Sequence, residues 1–109
     1  PSEPAMVTLG VQEDLTPIEF ALMQNYPNPF NPSTQIMYSL PKTSSVKIII
    51  YDMLGSKVRK LYSGVQDAGY KNILWNATNE NGDPVSAGMY IYTIEAESFF
   101  ASKKMILLK

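Results

Sequence analysis

The sequence predicts an all-β domain, an antiparallel β-sandwich of about seven strands. Short runs of alternating apolar and polar residues recur about every 8 to 12 residues, turn residues separate them, and no segment has a clear helical period. The chain has 109 residues, of which 45% are hydrophobic and 17% are charged. This length and composition fit one domain with one packed core, and they argue against global disorder.

The start of the chain, residues 1–17, is predicted to be a linker from an upstream domain. Residues 1–41 carry four acidic and no basic side chains, whereas residues 42–109 carry nine basic and six acidic ones. A helix is disfavoured because Pro17 interrupts the helically spaced Val11, Leu15 and Ile18. We expect the chain to be an excised or processed piece of a longer protein, since it begins with Pro1 and not with methionine.

The sandwich is predicted to begin at residue 18 with a short β-rich run over residues 18–24. The next segment, residues 25–33, contains Pro27, Pro29 and Pro32. Proline lacks the N–H that a ladder needs, and it holds the preceding residue extended. We therefore expect a rigid, non-helical crossing in this segment.

The runs that follow alternate as strands with one buried face do. The residues predicted to share buried faces are Ile36, Tyr38 and Leu40, then Val46, Ile48 and Ile50, then Ile73 and Trp75, and then Tyr90, Tyr92, Ile94 and Ala96. Further strands are predicted over residues 58–65 and 99–108, and a β-turn over residues 52–55. Trp75, the single tryptophan, is interpreted as the anchor of the core. The number and spacing of strands favour a sandwich of immunoglobulin or fibronectin type III kind.

The composition excludes several classes of function. The chain has no histidine and no cysteine, which excludes imidazole bases, Ser-His-Asp and Cys-His catalysis, disulfides, and zinc sites built on those residues. Its net charge of −1 argues against a nucleic-acid partner. The longest aliphatic run, residues 48–50, is far shorter than the roughly 20 residues of a membrane span. We expect no enzyme activity, no cofactor and no transmembrane segment.

Two polar clusters are weighed as sites. Residues 76–83 resemble a calcium loop in composition, but the EF-hand template places Ala77 at position one and Gly88 at position twelve, and neither has a side-chain oxygen. A looser calcium site is the alternative left open, and a tight loop built by Asn and Asp side chains is the favoured interpretation. Glu95 and Glu97 form a possible carboxylate pair, for which surface charge is the favoured interpretation.

The seven tyrosines raise a second functional hypothesis, a carbohydrate-binding accessory module. In that hypothesis Tyr51, Tyr62 and Tyr70 are exposed platforms for sugar stacking. The alternative is that the tyrosines serve the core, with their hydroxyls at its rim.

The segment N-Y-P-N-P-F-N-P-S-T at residues 25–34 resembles the opening of a known family, the type A C-terminal sorting domain of type IX (Por) secretion substrates in Bacteroidetes. The resemblance covers the chain from residue 20 onward. It continues through Ile50-Tyr51-Asp52, Gly69, Trp75-Asn76, Asn81-Gly82, Ala87-Gly88-Met89-Tyr90 and the tail S-K-K-M-I-L-L-K at residues 102–109. The family often has an acidic residue after the tryptophan, where this chain has Asn76.

The resemblance implies that residues 18–109 are a C-terminal sorting domain with an immunoglobulin-like fold. The outer-membrane translocon would read it after Sec export to the periplasm, and a sortase-like peptidase would commonly remove it, leaving the cargo at the cell surface or in the medium. The family's translocon-recognition elements map here onto Gly88, Tyr90, Lys103, Lys104, Met105 and Lys109. A third hypothesis is the related immunoglobulin-like domain of flagellar hook-capping proteins, which does not usually begin with the proline-rich segment.

The tail is predicted to be an edge strand, apolar on both faces and flanked by Lys103, Lys104 and Lys109. The lysines discourage stray pairing, while an open ladder is able to accept a translocon strand. The alternative is that the tail is only the last strand of the sandwich. We further expect that removal of residues 103–109 abolishes sorting and leaves the sandwich folded.

Overall fold

Seven strands and no helix make up the part of the chain that the computed structural model describes, residues 16–109. The strands are β1 (Ala21–Leu22), β2 (Thr34–Leu40), β3 (Ser44–Asp52), β4 (Lys57–Gln66), β5 (Gly69–Trp75), β6 (Gly88–Ala96) and β7 (Phe99–Leu107). The predicted all-β class is confirmed. Of the predicted linker, residues 1–17, only Thr16 and Pro17 are among the described residues. No helix in the described range is able to span a membrane.

The strands form two antiparallel sheets. One sheet has three strands in the order β1-β2-β5, and the other has four in the order β4-β3-β6-β7. β3 is central and pairs with both β4 and β6, and two register shifts interrupt its ladder with β4. β7 pairs with β6 over nine residue pairs without a shift, and it is an edge strand of its sheet.

The core lies between the sheets and consists of the inward faces of the alternating strands. Trp75 is fully buried, with its ring edge-on to Tyr90 at a centroid distance of 5.4 Å and tilted against Phe30 at 5.9 Å. Its indole N–H donates a 2.9 Å hydrogen bond to the carbonyl of Thr78, so the polar atom of this large side chain is satisfied. The predicted role of Trp75 as core anchor is confirmed.

The first predicted run, residues 18–24, is mostly irregular. Only Ala21 and Leu22 form a strand, and Ile18 is exposed. The pairing with β2 is interrupted at Gln24 and Asn25 and resumes at Tyr26. There the side chain of Gln24 donates to the carbonyl of Lys104, and the backbone N–H of Asn25 donates to the hydroxyl of Tyr92. Local alternation does not reveal such an interruption, because it depends on distant partners.

The predicted turns have the side-chain contacts expected of them. The N–H of Gly55 donates to the carbonyl of Asp52 at 3.0 Å, and the Asp52 carboxylate accepts the N–H of Leu54 and of Ser56. Gly55 has a φ of 87°, which suits glycine. In the loop over residues 76–83, the side-chain oxygen of Asn79 accepts two backbone N–H groups, so the tight-loop interpretation is confirmed.

Candidate functional site at the C-terminal strand

The structure places five of the six predicted recognition residues where β6 and β7 pair, and it places Lys109 two residues after the end of β7. Gly88 lies opposite Leu107, and Tyr90 lies opposite Met105. Tyr90 and Met105 are buried in the core, whereas Gly88, Lys104 and Lys109 are exposed and Lys103 is half-buried. A partner that docks on the folded domain therefore reaches the glycine and the lysines but not Tyr90 or Met105.

Tyr90 is held in the core by its hydroxyl, which donates a 2.6 Å hydrogen bond to the carbonyl of Ser86. Burial raises the pKa of Tyr90 above its ordinary value, and the negative charge of Asp52 raises it further. At Gly88, φ is 146°, a backbone conformation that L side chains rarely adopt, although open space surrounds the position of a Cβ. Backbone conformation and core packing therefore account for a glycine and a tyrosine at these positions.

The proline-rich segment, residues 25–30 and hereafter the opener, lies against the outer edge of β7. Phe30 and Leu107 form a parallel bridge, in which the N–H of Phe30 donates to the carbonyl of Ile106 at 3.0 Å and the N–H of Leu108 donates to the carbonyl of Phe30 at 2.8 Å. The side-chain oxygen of Asn28 accepts the N–H of Ile106 at 3.0 Å. Just before the opener, the amide of Gln24 donates to the carbonyl of Lys104 at 2.8 Å. The edge of β7 is thus covered from the carbonyl of Lys104 to the N–H of Leu108.

Buried polar contacts hold the opener in this position. The side-chain amide nitrogen of Asn25, Nδ2, donates to the Thr34 hydroxyl at 2.9 Å and to the Pro27 carbonyl at 3.1 Å. The Thr34 hydroxyl also donates to the Pro27 carbonyl at 2.8 Å, and the N–H of Asn25 donates to the Tyr92 hydroxyl at 2.8 Å. Buried polar groups that are all bonded stabilise one conformation, because each alternative would leave some of them unsatisfied.

Sequence reasoning missed the contacts that Gln24, Asn28 and Phe30 make with β7. A signal was present in the opener itself. The neighbours of an asparagine between two prolines have no N–H to donate to a ladder, so the asparagine tends to form hydrogen bonds through its side chain. An aromatic residue in a polar segment tends to be buried. The partner of these residues, a strand 78 residues away for Asn28, is not contained in any local pattern.

β1 approaches the rest of β7, and Phe20 stacks on Phe99 at a ring-centroid distance of 5.5 Å, but among residues 16–109 no strand is hydrogen-bonded to this part of the β7 edge. Both backbone groups of Ile106 point outward, toward the opener. Because outward and inward groups alternate along an edge strand, the N–H and C=O of Phe100 and Ser102 and the N–H of Lys104 also point outward. The predicted open ladder therefore exists only in the first half of β7, and the second half is closed by the opener.

A groove of about 470 Å³ lies beside the start of β7. Its lining residues include Phe99 and Phe100 from β7 and the charged residues Lys47, Glu95 and Glu97. Phe100 is 62% exposed. Glu95 pairs with Lys47 at 3.9 Å, and the carboxylate of Glu97 accepts the N–H of Ser45 at 2.9 Å, so both acids of the candidate carboxylate pair are engaged elsewhere.

The tyrosines proposed as sugar platforms are differently exposed. Tyr70 is 61% exposed, while Tyr51 and Tyr62 are half-buried. Tyr26 is 73% exposed, more than any of the predicted three, and lines a second groove of about 380 Å³ together with Met37 and Leu74. Burial therefore argues against Tyr51 and Tyr62 as sugar platforms, and of the predicted three only Tyr70 is exposed.

Metal chemistry has little support in the described range. No three acidic side chains between residues 16 and 109 come together as a metal-binding group. In the loop over residues 76–83, the side-chain oxygen of Asn79 is occupied by backbone N–H groups, and Glu80 accepts the N–H of Lys60. These oxygens organise the loop.

Comparison with known proteins places this geometry in context. Residues 31–99 match the model of the FlgD Ig-like domain. This range contains β2 to β6 and ends at the first residue of β7, so the opener up to Phe30 and nearly all of β7 lie outside it. No curated protein matches the chain.

Three solved structures share the fold at low sequence identity. Dimeric latent PorU from Porphyromonas gingivalis has 22% identity and a TM-score of 0.61, over 80% of this chain and 9% of PorU. FlgD from P. aeruginosa has 23% identity and a TM-score of 0.54, over 68% of this chain and 58% of that one. PorZ of Porphyromonas gingivalis, described as an essential surface component of the type IX secretion system, has 20% identity and a TM-score of 0.53, over 79% of this chain and 11% of PorZ. This chain therefore spans only a small part of PorU and PorZ. Since the family model matches more than half of its residues, the chain belongs to the FlgD Ig-like domain family.

Proposed function

We propose that residues 18–109 act as a C-terminal sorting domain, a non-enzymatic signal that directs an upstream cargo protein through the type IX outer-membrane translocon to the cell surface or the medium. The observation that carries this proposal is the pairing of the opener with β7. The proline-rich segment and the lysine-flanked tail are the two parts of the sequence that resemble sorting domains most specifically. They lie together in space, and both fall largely outside the range matched by the FlgD Ig-like domain.

The structural comparisons support the same reading at the level of fold. PorU and PorZ cover 80% and 79% of the chain, whereas FlgD covers 68%. The proposed partners are translocon components, a sortase-like peptidase and the upstream cargo domain. The domain itself would carry out no reaction, because it offers recognition surfaces and lacks a nucleophile paired with a base.

The proposed recognition surface consists of the exposed residues of the candidate site, Gly88, Lys104 and Lys109, together with half-buried Lys103. The lysines carry positive charge along an edge strand, and the first half of that edge has outward N–H and C=O groups. Strand addition to such an edge combines directional backbone hydrogen bonds with selection by charge. Tyr90 and Met105 contribute indirectly, by fixing β6 and β7 in register.

A secretion assay tests the proposal. Residues 18–109 are fused to a periplasmic reporter in a cell with a working type IX system, and the reporter is expected outside the cell. A variant in which Lys103, Lys104 and Lys109 are all replaced by Gln removes the charge and keeps the core, so we expect a folded reporter that stays in the periplasm. Lys42→Gln is the matched control, since Lys42 is an exposed lysine in the turn between β2 and β3 and outside β7. Retention of the unaltered fusion in the periplasm, with the domain folded, would refute the proposed function.

The second candidate function is an immunoglobulin-like domain of a flagellar hook-capping protein, which the family match over residues 31–99 favours. A chimera distinguishes the two candidates. Residues 18–109 replace the corresponding domain of FlgD from P. aeruginosa, and hook assembly is followed. Assembled hooks together with failed export of the reporter would favour this second function.

A further inference from the structure

We propose that the first half of the β7 edge binds an extended acidic peptide segment as an added strand. The free edge is defined here by the outward backbone groups of Phe100 and Ser102 and the N–H of Lys104. The inference deepens the proposed sorting function and rests on it for the source of the peptide, a component of the export machinery.

The first support is the distribution of covered and uncovered groups along β7. From the carbonyl of Lys104 onward, the outward backbone groups of β7 are hydrogen-bonded by the side chains of Gln24 and Asn28 and by the backbone of Phe30. Toward Phe100, no group of residues 16–109 bonds the outward N–H and C=O positions. Exposed edges are commonly closed by the protein's own chain, because an open row of donors and acceptors templates strand pairing. Here the closure stops halfway along the strand.

The opposite edge of the same sheet gives a useful contrast. On β4, the Glu80 carboxylate accepts the N–H of Lys60, and the Arg59 guanidinium donates to the Thr78 hydroxyl. The loop after β5 is thus tied to the β4 edge by charged side chains. An incoming strand would have to break these contacts on β4. At the free edge of β7 it would break no hydrogen bond among residues 16–109, although β1 and Phe20 lie nearby.

Charge determines which strand the free edge accepts. Lys103 and Lys104 lie at its end, and among residues 16–109 the one ion pair joins Lys47 and Glu95 instead. Neither of the two lysines therefore has a carboxylate partner in the described range. Lysines on an edge oppose the addition of basic strands and add no attraction for neutral ones. Acidic side chains in the incoming strand would instead gain a favourable contact with each lysine.

The other end of the free edge has a different character and fixes the register of the added strand. Exposed Phe100 lines the groove of about 470 Å³, which also contains the carboxylates of Glu95 and Glu97. An acidic residue is disfavoured beside these carboxylates, while an apolar side chain gains contact with the Phe100 ring. The peptide that fits is therefore apolar opposite Phe100 and acidic opposite Lys103 and Lys104.

The free edge is short, and this sets the kind of binding. Five residues of strand span roughly 17 Å. A contact of this size buries little area, so we expect weak and reversible binding. Such binding suits a signal that successive components of the export machinery bind in turn.

Amide hydrogen exchange on the full chain tests the inference. Without peptide, the N–H groups of Ser102 and Lys104 are expected to exchange rapidly, while those of Ala101 and Lys103 are slow because they face β6. The probes are two synthetic peptides of alternating Thr and Val with an apolar end, one carrying two Glu residues and the other two Lys residues in their place. The acidic peptide should slow exchange at Ser102 and Lys104 by about tenfold, the effect of one hydrogen bond. The basic peptide should not.

Two variants distinguish the contribution of charge to peptide binding from the contribution of backbone hydrogen bonds. Lys104→Glu should weaken binding of the acidic peptide by about fivefold, and Ser102→Pro should abolish protection because it removes an outward donor and leaves the β6 ladder intact. Lys42→Glu is the control for charge and should bind as the unaltered chain does. Equal protection by both peptides, protection at β4 instead of β7, or slow exchange at Ser102 without any peptide would overturn the inference. Export of the reporter without peptide binding would leave the proposed function standing, whereas binding without export would refute only that function.

Discussion

The carboxamide oxygen of Asn28 accepts a 3.0 Å hydrogen bond from the backbone N–H of Ile106. This contact occupies an outward donor of an edge strand, and Phe30 occupies the carbonyl of the same residue. Together they make the opener a partial substitute for an eighth strand. The part of β7 that holds Leu107 in the core is thereby closed to other chains, while the part near Phe100 stays open.

Replacement of Asn28 should weaken the contact between the opener and the edge of β7. Asn28→Ala removes the acceptor for the N–H of Ile106, which is then bonded only by water. We expect a loss of about 0.5 to 1.5 kcal/mol in the free energy of unfolding by urea. Faster hydrogen exchange at the Ile106 amide is expected as the local signature. Asn81→Ala, in an exposed loop, is the matched control, and unchanged exchange at Ile106 in the Asn28 variant would contradict the capping role.

Loss of the tryptophan anchor should be far more costly. Trp75 is fully buried and contacts the rings of Phe30 and Tyr90. Trp75→Ala leaves a large cavity, and we expect a loss of about 3 to 5 kcal/mol in the free energy of unfolding measured in urea. Leu74→Ala serves as the control because Leu74 is the neighbouring residue on the exposed face of β5, and its loss should be below about 1 kcal/mol. Similar losses for both variants would contradict the assigned faces of β5.

Truncation of the tail should unfold the domain, which corrects the expectation drawn from the sequence that residues 103–109 are dispensable for folding. Met105 and Leu107 lie in the core, and each contributes about 2 to 5 kcal/mol if its loss resembles other large core truncations. Their sum is comparable to the whole stability of a small domain, about 5 to 15 kcal/mol. Removal of residues 103–109 is therefore expected to abolish the cooperative urea transition, whereas removal of exposed Lys109 alone should preserve it. A cooperative transition in the longer truncation would show that β7 is not part of the core.

The inward faces of the strands were predictable because their signal is local. Ile36 and Tyr38 in β2, and Ile48 and Ile50 in β3, occupy alternate positions along their strands, and all four are buried as predicted. Ile49 is buried as well, although alternation places it on the outer face. It lies on β3, an interior strand of its sheet that is flanked by β4 and β6.

The candidate site was only partly predictable because it depends on long-range contacts. The edge position of the tail followed from its flanking lysines, and the structure confirms it. The coverage of half that edge did not follow, because it needs Asn28 and Phe30 to meet β7 across most of the chain. Burial of Tyr90 and Met105 likewise depends on which faces of β6 and β7 meet the other sheet.

Stability should fall at alkaline pH through the buried tyrosine hydroxyl of Tyr92. The hydroxyl donates to the carbonyl of Met23 at 2.7 Å and accepts the N–H of Asn25 at 2.8 Å, and burial raises its pKa to about 12. The unfolded state, with a pKa near 10, loses this proton first, so the contribution is complete below pH 10 and is lost as the pH rises toward 12. We expect a decline of about 2 to 3 kcal/mol in the free energy of unfolding across that interval, measured by urea titration at successive pH values. Tyr92→Phe should be less stable at pH 8 but decline less steeply, and an equal slope for both proteins would contradict the assignment to Tyr92.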